Sequence, residues 1–335
     1  MIAIHNKKHS FSELWIGYCS THNIPYKIVD CYQSDIISQL KDCDALMWHH
    51  HHANYKDVLF AKQLLFSLHQ SGKKVFPDFN TNWHFDDKVG QKYLLEAIGA
   101  PLVPSYVFYT KHEAINWANS NAFPKVFKLR GGAGSANVRL VKSKNIAKKL
   151  INQAFERGFS HFNRLAYLDE RLKKYKAGRD TLWGVCKGIG RLIISTEFEK
   201  MSPREKGYIY FQDFIPNNQF DIRVIVIGNK AFAIKRMVRK NDFRASGSGS
   251  IIYKKEEIDI RCVKIALETS EKLKSQSLAY DFVFNDKNEP LIVEISYGFS
   301  PSGYFDCPGY WDNNLNWREE DFDPYGWMVE LVLEK

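Results

Sequence analysis

The sequence predicts a chain that is α/β at its start and α+β after it, on three observations. Short apolar runs alternate with helical stretches over residues 1–84. Two strand-turn-strand patterns occupy the last part of the chain, and between these regions a strand runs into a turn with three glycines in four residues, Gly131, Gly132 and Gly134. Periodicity that switches between period 2 and period 3.6 in this way marks mixed architecture.

The first region reads MIAIH, SELWIGYCSTHN, YKIVDC, SDIISQLKDC, DALMWH, a helix over 55–71 and KKVFP. That βαβαβ rhythm implies a small parallel sheet. A second section opens at His84, where Asp86 or Asp87 can cap a helix with the apolar face Val89, Tyr93, Leu94, Ala97 and Ile98, ending at Gly99. Pro101 and Pro104 lead into the strand PSYVFY; then come PKVFKLR, the glycine turn, NVRLV, a helix over 144–157 and a lysine-rich stretch before LIIST. From Tyr208 the chain reads as a strand YIYFQDFI, a hairpin RVIVIGNKAFAIKRMV turning at Gly228 and Asn229, a helix over 256–274, a hairpin AYDFVFNDKNEPLIVEIS and a closing helix over 324–334. The expected divisions are an N-terminal βαβ domain at 1–84, a central small lobe at 85–200 and a C-terminal lobe at 201–335.

Bulk properties narrow the function classes. Of 335 residues, 44% are hydrophobic and 25% charged, ordinary globular values, and no apolar run is long enough to span a bilayer. The N-terminus lacks a secretory pattern and the six cysteines form no CxxC pair, so a reducing cytoplasm is expected. The net charge of +9 is spread along the chain with no basic tail or RNA-binding signature. It gives little support to a nucleic-acid partner and is met equally well by an anionic small substrate.

Four constellations carry candidate chemistry. In the last hairpin, residues whose numbers sum to about 575 face each other, which sets Asp281 opposite Glu294. Cβ atoms so placed lie roughly 4.5–5.5 Å apart, and two carboxylates there repel unless a proton or a hard cation lies between them. Alternation puts Ser296 on the face of Glu294. The bland alternative is two solvated strand carboxylates. The glycine turn, with Ser135, suits backbone N–H groups that approach phosphate, although it is neither a Walker A nor a Rossmann loop, and a plain hairpin is the alternative. Lys128 ends the strand before it, whereas Lys125 points to the opposite face. The strand YFQDF carries Gln212 and Asp213 toward Pro216, ahead of Asp221 and Arg223, and such a strand can offer backbone groups to a base. Arg236, Arg239 and Arg244 lead into a Ser/Gly loop, where arginines can neutralise a phosphoryl group or simply face solvent.

In order, DDK at 86–88, VFK at 126–128, GGAGSAN, QDFIP, FDIRVIVIG, NDFRASGS, YDFVF and VEIS resemble the ATP-grasp superfamily, in particular its glutamate-adding and dipeptide-forming carboxylate–amine ligases, over residues 84–300. The resemblance implies an ATP-grasp fold, with an N-terminal parallel-sheet domain and two lobes that clamp ATP. It implies that Lys88 and Lys128 contact nucleotide phosphates, that the 131–137 loop with Gly131, Gly132, Gly134 and Ser135 covers them as a lid, and that Gln212, Asp213 and Phe214 frame adenine. Asp221 then lies near the ribose, and Arg244, with Arg223 and Arg236, meets the γ-phosphate and acyl phosphate. Asp281, Glu294 and Ser296 hold Mg²⁺, or Mn²⁺ in its place. Ser296 stands where the family pattern has Asn, and Asp213 where Glu is more frequent. The implied reaction joins a small carboxylate to an amine through an acyl phosphate, with a sugar acid or amino acid of cell-surface polysaccharide synthesis as the expected carboxylate. A phosphotransferase and a non-catalytic nucleotide-binding module are the competing readings, and a homo-oligomer is compatible with either.

Three further features stand apart. His49, His50, His51 and His52 alternate in direction and cannot all ligate one ion; they follow a strand whose end borders a crevice, which leaves contact of one or two with the acceptor substrate as an alternative to a run without a role there. Cys19, Cys31 and Cys43 are expected as buried thiols. The aromatic, turn-rich segment over 297–327 is expected to carry specificity or to pack as a long loop.

Overall fold

The computed structural model describes residues 1–131, 137–160, 168, 171–172, 175, 181–194, 201, 203–238 and 250–334. Among them, three sheets are stacked along the chain. The first is the parallel sheet the alternation predicts: β1 (Ile2–His5), β2 (Tyr26–Val29), β3 (Ala45–Met47) and β4 (Lys74–Phe76), in the order β2-β1-β3-β4. Helices α1 (Phe11–Thr21) and α3 (Tyr55–Gln70) connect its strands, the first capped by Ser10 and the second by Asn54.

The middle sheet is antiparallel, in the order β5-β8-β6-β7, from Ser105–Phe108, Ile209–Asp213, Lys125–Lys128 and Val138–Val141. Here the structure departs from the expected division at residue 200. The strand β8 lies past that point in sequence, yet it fills the centre of the small lobe's sheet, because Phe211 completes the apolar cluster of Phe127, Val141 and Ile151. The segment Leu182–Ile193, to which the sequence assigns no element, is a helix; Gly184, Gly188 and Gly190 inside it weaken the helical signal in the sequence.

The third sheet has seven strands. Its path runs β13-β12-β9-β10-β14-β15, with β11 (Ile251–Ile252) also pairing β10. Its main strands are β9 (Phe220–Ile227), β10 (Lys230–Met237), β12 (Ser277–Phe284) and β13 (Pro290–Ser296), and the short β14 (Tyr310–Trp311) and β15 (Trp317–Arg318) come from the aromatic segment. The β9–β10 hairpin turns at Gly228, whose φ of 58° suits glycine.

Both faces of this sheet are buried. Ile225, Phe232 and Ile234 pack against Ile4, Phe11 and Trp15 of the first domain and Met328 of the terminal helix Pro324–Leu333, while Val224, Val226 and Tyr280 pack against Cys262, Val263 and Ala266 of the helix Ile260–Leu273. The N-terminal domain therefore shares a core with the C-terminal lobe. Phe232 lies at that junction with no exposed surface. Phe232→Ala is expected to cost about 3–5 kcal/mol in urea unfolding; a loss under about 1 kcal/mol would show that the two parts do not share a core.

The helix α5 (Lys88–Ala97) is capped by Asp87, whose side chain accepts from Gly90 N at 2.9 Å. Its innermost apolar residue is Leu95, and Tyr93 is exposed, so the expected apolar face is rotated by about one residue. Cys19, Cys31 and Cys43 are free and buried. No helix is long and apolar enough to cross a membrane among the described residues.

Candidate active site

A cavity of about 610 Å³ lies between the middle sheet, the seven-stranded sheet and the carboxyl ends of β1 and β3. Its wall includes Lys88, Lys128, Gln212, Asp213, Phe214, Asp221, Arg223, Asp281, Glu294 and Ser296, so ten residues singled out in the sequence converge on one space.

The register of β12 and β13 accounts for the acidic pair. Ala279 faces Ser296, Tyr280 faces Ile295 and Asp281 faces Glu294, after which the pairing shifts, with Phe282 opposite Ile292. The bulge leaves Val293 without a cross-strand partner, and its carbonyl turns to the middle lobe, where it accepts from Gln212 Nε2 at 3.2 Å and Lys128 Nζ at 3.5 Å. The residues before the middle sheet dock on the same edge: Val103 N donates to Ile292 O at 2.9 Å, and Ile292 N to Pro101 O at 2.7 Å. One irregular strand thus sets the acidic pair and ties the lobes together.

The two carboxylates are neutralised from different sides. Glu294 Oε1 lies 3.1 Å from Lys88 Nζ, at the first turn of α5. Burial opposes the charge on both, yet Lys88 and Lys128 hold the Glu294 carboxyl below its ordinary range, and Glu294 holds Lys88 above its own. Among the described residues Lys128 has no such close partner; burial pushes it down to about 8. Asp281 is gripped through both oxygens by Arg223, at 2.5 and 2.6 Å, and Arg236 Nη2 lies 3.0 Å away. Against the cost of burial, these guanidinium groups hold Asp281 well below the carboxylate range.

That geometry corrects part of the sequence reading. Arg223 and Arg236 are not free cations aimed at a phosphoryl group here: Arg223 is tied to Asp281, and Arg236 to both oxygens of Asp221 at 2.7 and 2.5 Å. The cause is register, since Arg223 lies between Asp281 and Ile234, and Arg236 faces Asp221 across β9–β10. Asp221 is correspondingly engaged rather than open to a ribose. Ser296 Oγ closes on its own chain, donating to Gly298 O at 3.0 Å and accepting from Gly298 N at 3.2 Å, which leaves one lone pair. Gly131 ends the described part of its loop; Gly132, Gly134, Ser135, Arg239 and Arg244 lie outside the described residues.

At the opposite end of the cavity, Phe214 and Ile215 follow β8 and join Val126, Val283 and Val293 in an apolar wall. Asp213 at the end of β8 pairs with Lys125 at 2.6 Å. The sequence reading had set Lys125 aside because it points away from Lys128; it does, and from there it fixes the hinge carboxylate, with Tyr106 beneath its ammonium at 5.2 Å. Tyr304, from the aromatic segment, was also missed. It is buried, and its hydroxyl lies near enough to Arg223 for each to act on the other's charge, a long-range relation that no local pattern announces.

The residues fit a divalent hard cation in one respect. Two carboxylates from adjacent strands line one cavity, which is what Mg²⁺ requires when phosphate and water complete its shell. Among the described residues no group of three or more His, Cys, Asp or Glu side chains could hold a metal without such a ligand.

Comparison with known proteins agrees with this architecture. Residues 192–301 match the RimK-like ATP-grasp domain. Among solved structures, a RimK domain ATP-grasp protein from Sphaerobacter thermophilus is 15% identical, with 99% of each chain covered and a TM-score of 0.57. The D-alanine–D-alanine ligase of Bacillus anthracis is 16% identical, covering 99% of this chain and 95% of its own, with a TM-score of 0.56. The ATP-grasp ligase PsnB, solved with a minimal precursor, Mg and ADP, is 12% identical, covering 99% and 96%, with a TM-score of 0.55. No curated protein matches in sequence. The fold is the ATP-grasp fold, and the chain resembles the carboxylate–amine ligases of that superfamily.

The Arg223–Asp281 pair can be tested by itself. Arg223→Met leaves Asp281 with Arg236 alone and is expected to lower stability by about 3 kcal/mol in denaturant, the lower end for a broken buried pair. Unchanged stability would mean that Asp281 is not held as described.

Proposed function

We propose that this chain is an ATP- and magnesium-dependent ligase that activates a small carboxylate as an acyl phosphate and joins it to an amine. The observation that carries this reading is the meeting of Asp281 and Glu294 with two buried lysines, Lys88 and Lys128, from two other elements on one interlobe cavity. The apolar wall at Phe214 and Ile215 suits a purine, and the two lysines, with a divalent cation on the two carboxylates, suit a triphosphate.

In this reading Lys88, kept charged by Glu294, and Lys128 are fixed cations beside the phosphoryl oxygens. The γ-phosphoryl group leaves ADP as its bond to the bridging oxygen breaks, and a bond forms to a carboxylate oxygen of the substrate. The amine nitrogen then attacks the acyl carbon, phosphate departs, and the nitrogen loses a proton. Mg²⁺, held with the nucleotide by Asp281 and Glu294, would neutralise charge on the phosphate oxygens. The burial of Lys88, Lys128 and Gln212 supplies the low-dielectric wall that such chemistry needs. The expected carboxylate, a sugar acid or an amino acid, sets the first substrates to test.

An ADP-release screen over sugar acids and amino acids with amine partners tests the proposal. A new amide with ADP and phosphate supports it, whereas a stable phosphate ester identifies a phosphotransferase. Glu294→Gln is expected to lower kcat by about 10²-fold or more. One observation favours a second reading, a nucleotide-binding module without catalysis: both Asp281 oxygens are engaged by Arg223, and Ser296 is turned onto Gly298. ADP release at background with all mixtures, alongside tight ATP binding, would establish it.

Lys128 gives a pH signature. With its pKa at about 8, half of the free protein carries a neutral amine there, and a bound triphosphate favours the ammonium. Nucleotide binding at pH 8 is therefore expected to take up about half a proton, falling toward zero near about pH 6, where Lys128 is already charged. Calorimetry in two buffers of different ionisation enthalpy reads this directly; no uptake at pH 8 would remove Lys128 from the phosphate site.

A further inference from the structure

The far end of the cavity, away from Phe214, is built by the loops that follow β1, β3 and β13, with His49, His51, His52, Phe85 and Gly298 on its wall. A nucleotide with its base at the hinge and its phosphates beside Lys88 and Lys128 leaves this end unfilled.

His49 is fixed there in one orientation and one tautomer. Its ring lies parallel to that of Phe11, 6° from coplanar at 3.7 Å, and the residue is only 9% exposed. The backbone N–H of Phe11 donates to His49 Nδ1 at 3.2 Å, and Ser10 Oγ lies 2.9 Å from the same nitrogen. A nitrogen that accepts from a backbone N–H carries no proton, so the proton is on Nε2. Among the described residues no protein acceptor bonds to Nε2. It lies 3.7 Å from where a Cβ on Gly298 would sit, and Phe85 lies 3.6 Å from that point. The Phe11 N–H belongs to the first turn of α1, an 11-residue helix, so the partial positive charge of that end acts on Nδ1 and polarises the ring toward Nε2–H. Lys7 adds a positive charge nearby, as its influence on His49 shows.

We propose that His49 Nε2–H, backed by the N-terminus of α1 and given room by Gly298, binds a carboxylate oxygen of the amine-bearing substrate, which makes that substrate amino-acid-like. The assignment rests on the reading of the cavity's middle as the phosphoryl-transfer centre, because it is the carboxylate beside the lysines that is activated and a second one that reaches the histidine end. His50 braces the segment, with Nε2 2.8 Å from Asn82 Oδ1, and Asp57 holds the backbone N–H of His51 at 2.8 Å. Burial keeps the His49 ring neutral.

Full-length protein labelled with ¹⁵N-histidine, with MgADP bound, tests this by long-range proton–nitrogen correlation. The expected result is a His49 signal of the Nε2–H tautomer that shifts with glycine and acetate but not with methylamine or glycine methyl ester. In Gly298→Ala the added methyl group makes only ordinary contacts, so folding and ADP affinity are retained while the shift is lost. In turnover the same substitution raises the KM of the amine substrate at least about tenfold, the worth of one hydrogen bond to a charged group, and leaves that of ATP and of the activated acid alone. An Nδ1–H tautomer, a signal unmoved by either carboxylate, or a KM effect confined to the activated acid would overturn the assignment. Should Gly298→Ala not fold, the tautomer and the four probes still decide it. Failure of MgADP to bind would instead refute the ligase reading and is measured separately.

Discussion

Two carboxylates face each other across adjacent strands, and everything around them is arranged to make that tolerable. Asp281 and Glu294 lie in register on β12 and β13, where like charges repel strongly once water is excluded. The chain resolves the conflict by giving each its own cation source. Asp281 is bound within its own sheet by Arg223 and Arg236, while Glu294 is met by Lys88 from α5 and lies in the field of Lys128 from the middle lobe. The first solution stabilises one sheet; the second requires three parts of the chain to come together.

That requirement links packing to function. The bulge at Val293 is a departure from regular pairing, and it supplies the carbonyl to which Gln212 and Lys128 bond. The segment before β5 adds to the edge of the same strand, so the middle lobe is anchored where the charge lies. On the other side, the shared core of the seven-stranded sheet with the first domain brings the ends of β1 and β3, and with them His49, to the cavity's far end. Each of the three sheets contributes one stretch of the wall: an apolar hinge, a charged centre, and an aromatic, imidazole-lined end.

Much of this was legible in the sequence, for identifiable reasons. Counting from the tight turn, where Asn285 N bonds to Glu289 O, brings Asp281 to within one residue of Glu294, and the bulge at Val293 completes the pairing. The parallel sheet and both long hairpins were visible through local periodicity, and the burial of Cys19, Cys31 and Cys43 through the lack of any base or paired ligand beside them in sequence. The misses depend on distance in sequence. That β8 inserts between β5 and β6 is decided by the burial of Phe211, which no local pattern encodes. The ion pairs of Arg223 and Arg236 depend on the mutual register of three strands, and a basic stretch in sequence does not reveal that its charges are already matched. The helix Leu182–Ile193 was hidden by its glycines, and the roles of Lys125 and Tyr304 by partners far along the chain, 88 residues away for Lys125.

The facing carboxylates are expected to receive a divalent cation together with a nucleotide. Electron paramagnetic resonance of Mn²⁺ in the presence of ADP measures this without knowledge of the substrate. The free Mn²⁺ signal is expected to fall when protein and ADP are both present, to fall less with protein alone because Arg223 and Lys88 occupy the two carboxylates, and to return on Asp281→Asn or Glu294→Gln. A bound fraction that is unchanged in both variants would place the metal elsewhere and contradict the site described above.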